Sequence, residues 1–310
     1  MSSKSLKIFA PATVANVACG FDILGFAINE PGDEIILKLK DTPDVTITKI
    51  IGDNGRLPLD PKKNTAGVAV LAYLKHIRSD QGVEIEIHKK MPLGSGLGSS
   101  AASAVGGVFG INELLDRPLK KEELLPFAME GERAACGFAH ADNVAPSLLG
   151  GMILIRSYEP LEIIPIPTPP NLFCALVHPD FELRTADSRK VLKKEIELKD
   201  AVIQWGNVGG LIAGLMKSDY GLIGRSLQDV VAEPRRAPLI PGFFDVKNAA
   251  LKAGALGCSI SGSGPSIFAL SQSLETAKTV GEKMQAAFSS QQINSEIYIS
   301  PINRTGVKII

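Results

Sequence analysis

The order of apolar and polar residues predicts β-strands at several places along the chain. Val83 to Lys89 is the clearest, because its apolar residues alternate with Glu84, Glu86 and His88, which is the pattern of a half-buried antiparallel strand. Cys258 to Leu270 reads as a strand, a glycine turn and a second strand. Similar short runs predict further strands at 35–39, 45–51, 173–178 and 293–299.

Apolar residues at helical spacing predict helices between these strands. Over residues 64–77 this spacing places Val68, Leu71, Ala72 and Leu74 on one side of a helix. Further helices are predicted at 99–115, at 121–135 with Pro126 kinking or splitting it, within 188–217 as one or two segments, and at 276–288.

Strands and helices are mixed without strict alternation, which favours an α+β fold. Residues 163–171 contain four prolines, a composition typical of a rigid connector. We therefore predict two domains, at residues 1–160 and 161–310.

Charge and composition exclude some classes of binding partner. The 310 residues carry 33 basic and 33 acidic side chains, so no bulk field attracts nucleic acid or anionic lipid. No segment approaches the roughly 18 uninterrupted apolar residues of a membrane helix, and no secretion signal is evident at the N-terminus. Four scattered cysteines are expected to be buried or bystander thiols in a reducing compartment, namely Cys19, Cys136, Cys174 and Cys258. We expect a cytoplasmic protein that binds neither nucleic acid nor membrane.

The strongest local signal is the segment PLGSGLGSSAA, which begins at Pro92. Its three glycines let successive N–H groups turn towards one point, and the helix that follows directs its positive end there. Ser99 and Ser100 could cap this helix, contact phosphate or reach a magnesium ion. The residues predicted to bind ATP here are Pro92, Leu93, Gly94, Ser95, Gly96, Leu97, Gly98, Ser99, Ser100, Ala101 and Ala102.

Other phosphate loops fit this segment less well. A Walker loop and a dinucleotide fingerprint both need glycine where Ser99 stands, and the HRD and DFG motifs of protein kinases are absent. The alternative to a phosphate-binding loop is a glycine-rich turn with an ordinary helix cap and no ligand. The paired serines and the small residues that follow favour the phosphate site.

Pro92 to Ser103 resembles the ATP-binding loop of the GHMP small-molecule kinases. Phe9 to Ile28 resembles the first motif of that family, and Gly257 to Leu270 resembles its third. Within the family, His140 to Pro146 and Glu233 to Pro241 resemble the branch that phosphorylates L-homoserine. The likeness spans essentially the whole chain.

The resemblance implies an N-terminal α/β lobe with the phosphate loop and a ferredoxin-like C-terminal lobe, with ATP in the groove between them. It also implies ATP and Mg²⁺ as cofactors, L-homoserine as substrate and threonine synthesis as the pathway. A homodimer is a further expectation. Two alternatives stay open, which are another member of the family such as a mevalonate-type kinase, and a catalytically dead relative that binds ATP or an amino acid.

Homoserine is a zwitterion with a neutral hydroxyl, so its pocket needs a cation, an anion and a polar contact. Arg189 and Arg236 are the candidates for its carboxylate, with Arg235 as an alternative to Arg236. A surface salt bridge is the ordinary role of any single arginine. The full set of predicted substrate residues is Asn16, Asp22, His140, Asp142, Arg189 and Arg236.

By resemblance, Ser100 and Glu132 are the magnesium ligands, and Thr185 is a hydroxyl close to the transferred phosphate. Asn64 and Thr65 stand where the family contacts the base side of the nucleotide. Without the family, Glu132 would be interpreted as a solvated helix carboxylate.

The chain departs from sibling kinases in its first motif. Those siblings carry a basic residue there and an aspartate regarded as the catalytic base, whereas Pro11-Ala12-Thr13 contains no basic residue. The aspartate corresponds to Asp142 or to Asn143. An amide cannot accept the proton, so Asn143 would imply catalysis by positioning and charge stabilisation. Asp142 as the base is the competing hypothesis.

Overall fold

The computed structural model describes residues 4–310, except for the side chains of Ala135 and Cys136. The prediction made for the Cys136 thiol therefore lies outside the described residues, whereas Cys19, Cys174 and Cys258 are free and buried as predicted. No helix of this described part is both long and apolar enough to cross a membrane.

Strands and helices alternate irregularly along the chain. The strands are β1 Ser5–Ala15, β2 Leu24–Lys40, β3 Val45–Ile51, β4 Gly82–His88, β5 Met152–Tyr158, β6 Leu161–Ile166, β7 Phe173–Pro179, β8 Gly257–Ile260, β9 Ile267–Ser271, β10 Ser295–Pro301 and β11 Lys308–Ile309. The helices are α1 Thr65–His76, α2 Ser99–Leu114, α3 Leu125–Cys136, α4 Ala141–Leu149, α5 Thr185–Lys190, α6 Leu198–Lys217, α7 Tyr220–Ser226, α8 Glu233–Arg236, α9 Phe243–Lys252 and α10 Leu274–Ser289. Short 3₁₀ turns occupy Lys121–Leu124 and Ala237–Leu239.

Seven of the described strands form the N-terminal sheet. Five of them follow the order β11-β1-β2-β4-β3, while β5 pairs with the first residues of β2 and β6 pairs with β5. The alternating strand β4 is antiparallel to β2, as its pattern predicts, but parallel to β3. Helices α1, α2, α3 and α4 cover this sheet around one apolar core. Pro126 lies in the first turn of α3 and separates it from the preceding 3₁₀ turn, which is the split predicted there.

The C-terminal sheet contains four of the described strands in the order β10-β7-β9-β8, all antiparallel. With α10 between β9 and β10, and helices between β7 and β8, this is the ferredoxin-like arrangement. Neighbouring residues of β7 pack into different cores, since Leu176 joins the core shared with the first lobe and Val177 joins the second. The sheet therefore contributes buried residues to both cores.

The structure adds to two of the predicted segments. Of the four apolar residues predicted to share one side of α1, only Leu74 is buried, because α2 and α3 cover a face made of small residues and Tyr73. The proline-rich connector is partly a strand, since β6 pairs with β5.

The domain boundary stays a prediction, and we propose to move it from 160/161 to about residue 167, where the chain leaves β6.

Candidate active site

A cavity of about 370 Å³ lies where the two lobes meet. Its wall combines the β1–β2 loop at Asn16, the glycine loop before α2, and the turn between β8 and β9 at Gly262 and Ser263. The three segments singled out by their motifs, far apart in sequence, are thus brought to one place.

Most of the predicted site residues line this one cavity. They are Asn16, Asp22, Asn64, Thr65, Leu93, Gly94, Ser95, Gly96, Leu97, Gly98, Ser99, Ser100, Glu132, His140, Asp142, Asn143, Thr185, Arg189 and Arg236. Pro92, Ala101 and Ala102 do not line it. Ala101 and Ala102 are completely buried in the first core, because the first turn of α2 directs their side chains inward. Their assignment to the ATP-binding segment stays a prediction, and their burial leaves their backbone as the part that could contact ATP.

The glycine loop requires glycine for steric reasons. Gly96 and Gly98 have φ angles of 76° and 71°, in the left-handed region that residues with a Cβ avoid. A Cβ on Gly96 would lie 2.5 Å from the carbonyl oxygen of Ser261, and one on Gly98 would lie 2.1 Å from Oγ1 of Thr13. The loop is therefore held tightly against the first and third motifs.

Gly98, not a serine, forms the N-cap of α2, and no side chain caps this helix. The prediction that a serine caps it is wrong for Ser99, whose hydroxyl donates instead to Oδ2 of Asp33 at 2.9 Å. The first N–H groups of α2 have no acceptor within the helix. Together with the helix dipole they make this end of the cavity suitable for phosphate.

A buried ion pair closes the base of the loop. Nζ of Lys89 contacts Asp33 and donates to the Ser99 carbonyl oxygen and to Oγ of Ser103, both at 2.8 Å. Oδ1 of Asp33 accepts the N–H of Lys90 at 2.8 Å. Since these contacts bracket the glycine loop on both sides, the pair fixes where the loop begins and where α2 begins.

The third motif holds the same loop from the other lobe. Ser261 donates its hydroxyl to the Gly96 carbonyl oxygen at 2.7 Å, and Ser266 donates to the Ser95 carbonyl oxygen at 2.6 Å. Nδ2 of Asn16 donates to the carbonyl oxygen of Gly262 at 2.7 Å. Asn16 is therefore used to join the first and third motifs.

Opposite charges meet at the other end of the cavity. Nη2 of Arg189 lies 2.8 and 2.9 Å from the two carboxylate oxygens of Asp22, and 3.2 Å from Nδ1 of His140. Burial, and then the positive charge of Arg189, lower the pKa of His140 below its usual value. A neutral imidazole can accept a hydrogen bond from the arginine. Arg189 therefore pairs with the carboxylate of Asp22 and with the imidazole of His140 at the same time.

The alternatives Arg235 and Arg236 differ sharply in position. Arg236 is buried, lines the cavity and donates from Nη1 to the Gly262 carbonyl oxygen at 2.9 Å. Arg235 is exposed and lines a different depression. Burial, and then the charge of Arg189, lower the pKa of Arg236 to about 10. The ring of Phe21 is close to both arginines, with its centroid 5.6 Å from Cζ of Arg189 and 5.2 Å from Cζ of Arg236.

Asp142 is a buried carboxylate whose Oδ1 has no hydrogen-bond partner among the described residues. Burial, and then the negative charge of Asp22, raise its pKa to about 7. A bound ammonium group would supply both the missing charge and the missing donor. Asp142 is therefore a candidate partner for an ammonium group in this cavity.

Ser100 and Glu132 lie together at the loop end of the cavity. Burial raises the pKa of Glu132 to about 7, although a hydrogen bond from Ser100 and the charge of Lys89 act to lower it. A carboxylate and a hydroxyl beside a phosphate site are the oxygen ligands that Mg²⁺ takes from proteins. The pair fits a magnesium ion that also binds phosphate oxygens.

Several residues of the cavity wall are not indicated by any sequence pattern. Lys89 stands at the end of the predicted strand 83–89, and its place under the loop depends on Asp33 from another strand. Gly262 and Ser263 lie in the recognised third motif, and the hydroxyl of Ser263 is 3.2 Å from that of Thr185. The contact between Ser263 and Thr185 joins residues that are 78 positions apart, so only the fold reveals it.

Comparison with known proteins identifies the family. Residues 64–151 match the N-terminal domain of GHMP kinases, and residues 211–290 match the C-terminal domain of GHMP kinases. The chain belongs to the GHMP kinase family.

Within that family, the chain is similar over its full length to proteins named homoserine kinase. It is 59% identical to the one from Chlorobium phaeobacteroides strain BS1 and 60% identical to the one from Chlorobium phaeovibrioides, with 99% of this chain and 100% of each relative covered. The crystal structure of homoserine kinase from Cytophaga hutchinsonii has a TM-score of 0.97 at 59% identity, covering 99% of this chain and 97% of that one.

Proposed function

We propose that this protein is a homoserine kinase, which transfers the γ-phosphoryl group of ATP to the side-chain hydroxyl of L-homoserine. The products are ADP and O-phospho-L-homoserine, a step towards threonine. The observation that carries the proposal is the cavity itself, because a glycine loop at a helix N-terminus and a cluster of opposite charges line the same wall. The similarity to homoserine kinases over the whole chain supports it.

The charged end suits an amino acid better than other alcohols. Arg189 and Asp22 form an ion pair in the cavity. The carboxylate of a zwitterion could pair with Arg189 in place of Asp22, and its ammonium group could pair with Asp22 in place of Arg189. Arg189 and Arg236 would bind the carboxylate, while Asp142 and Asp22 would bind the ammonium group. Mevalonate has the carboxylate but lacks the amine, and it would leave Asp142 without a partner.

At the loop end, the N–H groups of the glycine loop and of the first turn of α2 would bind the phosphates. Ser100 and Glu132 would hold Mg²⁺, which neutralises charge on phosphate oxygens during transfer. Thr185 would contact the transferred phosphate from the C-terminal lobe.

Chemically, the homoserine hydroxyl oxygen forms a bond to the γ-phosphorus while the bond from that phosphorus to the β–γ bridging oxygen breaks. We propose that no side chain acts as a base and that the hydroxyl proton passes to the γ-phosphate. Asn143 is placed against the last glycine of the loop, since a Cβ on Gly98 would lie 2.9 Å from its Oδ1. Asp142, by contrast, interacts with the charges of Asp22 and Arg189.

Two substitutions separate this mechanism from the one in which Asp142 is the base. Without a base, Asp142→Asn raises chiefly the KM for homoserine, and Asn143→Ala lowers kcat because angstrom-scale misplacement can cost about 10²-fold. Collapse of kcat in Asp142→Asn alone, with homoserine KM unchanged, would refute the base-free mechanism.

The activity itself is tested by ADP release, coupled to a spectrophotometric readout, with homoserine, mevalonate, galactose and shikimate as acceptors. Turnover with homoserine alone, with O-phosphohomoserine identified by ³¹P NMR, is expected. Turnover with mevalonate or a sugar instead would contradict the proposal. ATP binding measured by calorimetry without turnover on any acceptor would favour the inactive relative.

We also propose a cytoplasmic homodimer. Helix α6 exposes large apolar side chains, including Leu198 at 72%, Val202 at 56% and Trp205 at 64%, and extended apolar patches mark interaction surfaces. Trp205 is the single tryptophan of the chain. Sedimentation velocity over a range of concentrations, followed in parallel by tryptophan emission, tests this; a monomer at all concentrations would contradict it.

A further inference from the structure

Thr13 has no role in the site described so far, yet it contacts two of its parts. The residue lies in β1, is completely buried and does not line the cavity. Its hydroxyl donates to Oδ1 of Asn143 at 2.7 Å, and its N–H donates to the carbonyl oxygen of Leu97 at 3.0 Å. One buried residue therefore connects the glycine loop, through its N–H, to Asn143, through its hydroxyl.

The hydroxyl contact determines how the amide of Asn143 is oriented. An amide oxygen only accepts hydrogen bonds and an amide nitrogen only donates them. With Oδ1 held by the Thr13 hydroxyl, the group left for the cavity is the NH₂ donor. Asn143 lines the cavity, so this donor is available to an oxygen of a bound ligand.

Close packing fixes the distance between this amide and the phosphate loop. A Cβ on Gly98 would lie 2.1 Å from Oγ1 of Thr13 and 2.9 Å from Oδ1 of Asn143. No side chain larger than hydrogen fits between the loop and the Thr13–Asn143 pair. The loop would hold the transferred phosphate, and the amide would orient the acceptor. Their close packing therefore fixes the distance between the two groups.

We propose that Thr13 is a positioning residue for phosphoryl transfer, because it fixes the Asn143 amide with its NH₂ group towards the acceptor hydroxyl. The inference rests on the proposed function. Thr13 touches neither substrate, and it acts only through Asn143 and through its bond to Leu97.

The test compares Thr13→Val, which keeps shape but removes the hydroxyl, with Thr13→Ser, which keeps the hydroxyl. Thr13→Val should lower kcat about tenfold or more, with the KM for ATP unchanged, because a misplaced acceptor affects the transfer step. Thr13→Ser should restore most of kcat. Ser147→Ala is the matched control, since Ser147 is equally buried and its hydroxyl donates only to the carbonyl oxygen of Pro11 at 3.1 Å.

A double-mutant cycle separates positioning from a structural role. If Thr13 acts through Asn143, then Thr13→Val should have no further effect on kcat in an Asn143→Ala background. Multiplication of the two effects, or normal kcat in Thr13→Val, would overturn the inference while homoserine phosphorylation by the wild type persists. Absence of that phosphorylation in the wild type would instead overturn the proposed function.

Discussion

Replacing Asp142 with asparagine should stabilise the unliganded protein at neutral pH while weakening its affinity for homoserine. The physical reason is the raised pKa of Asp142, which burial and then the charge of Asp22 move from 3.8 to about 7. A buried carboxylate that ionises without a partner costs free energy. The neutral asparagine has no such cost, but it has no charge for the ammonium group.

The sign and size of the effect follow from proton linkage. Between about pH 4 and pH 7 the folded protein holds a proton on Asp142 that the unfolded chain has already released. The folded state binds more protons, so the free energy of unfolding falls as pH rises. Each pH unit in this window removes about 1.4 kcal/mol, and the loss reaches about 4 kcal/mol above pH 7 for a shift of about 3 units.

Urea unfolding of the unliganded protein at pH 5 and pH 8 measures this loss. Wild type should lose about 3 kcal/mol through this group over that interval, and Asp142→Asn should lack that part. Asp116→Asn is the control, because this carboxylate is 87% exposed. Parallel pH dependence in wild type and Asp142→Asn would refute the argument, as would an unchanged KM for homoserine in the variant.

Three further predictions concern other parts of the site. Glu132→Ala should lower kcat strongly at saturating magnesium while the melting temperature is retained, because lost charge stabilisation acts on the transition state; normal turnover would contradict its role as a metal ligand. Arg236→Leu should raise the KM for homoserine by well over tenfold, since losing a buried charge partner costs about 2–5 kcal/mol, whereas the exposed Arg235→Leu should not. Lys89→Met should destabilise the fold by about 3–5 kcal/mol, because it leaves the buried Asp33 carboxylate without its cation; an unchanged free energy of unfolding in urea would contradict this role.

The phosphate loop is the part of the site that sequence predicts most fully. Its glycines, its serines and the small residues after them are consecutive, so a local pattern contains the whole feature. The structure corrected only the local detail of the cap, because Ser99 donates to Asp33 instead. Asp33 lies 66 residues away, and no pattern within the loop announces it.

The sequence alone could not decide which of two neighbouring arginines lies in the cavity. Arg235 and Arg236 are adjacent and chemically identical, and only the short helix α8 decides that one is exposed and the other buried in the cavity. The inner face of α1 was also decided by tertiary contacts, because α2 and α3 pack on its small residues. Apolar periodicity cannot distinguish the faces of a helix that is apolar nearly all round.

The sequence by itself determined the family resemblance, the α+β class and which residue types could bind phosphate, metal and a zwitterion, since these depend on the chemistry and spacing of residues within short segments. The tertiary structure alone decided how the segments meet. The Arg189–Asp22 pair, the Lys89–Asp33 pair and the Thr13–Asn143 bond each join residues distant in the chain. The physical reason is that burial and charge pairing depend on neighbours in space, which a linear pattern does not specify.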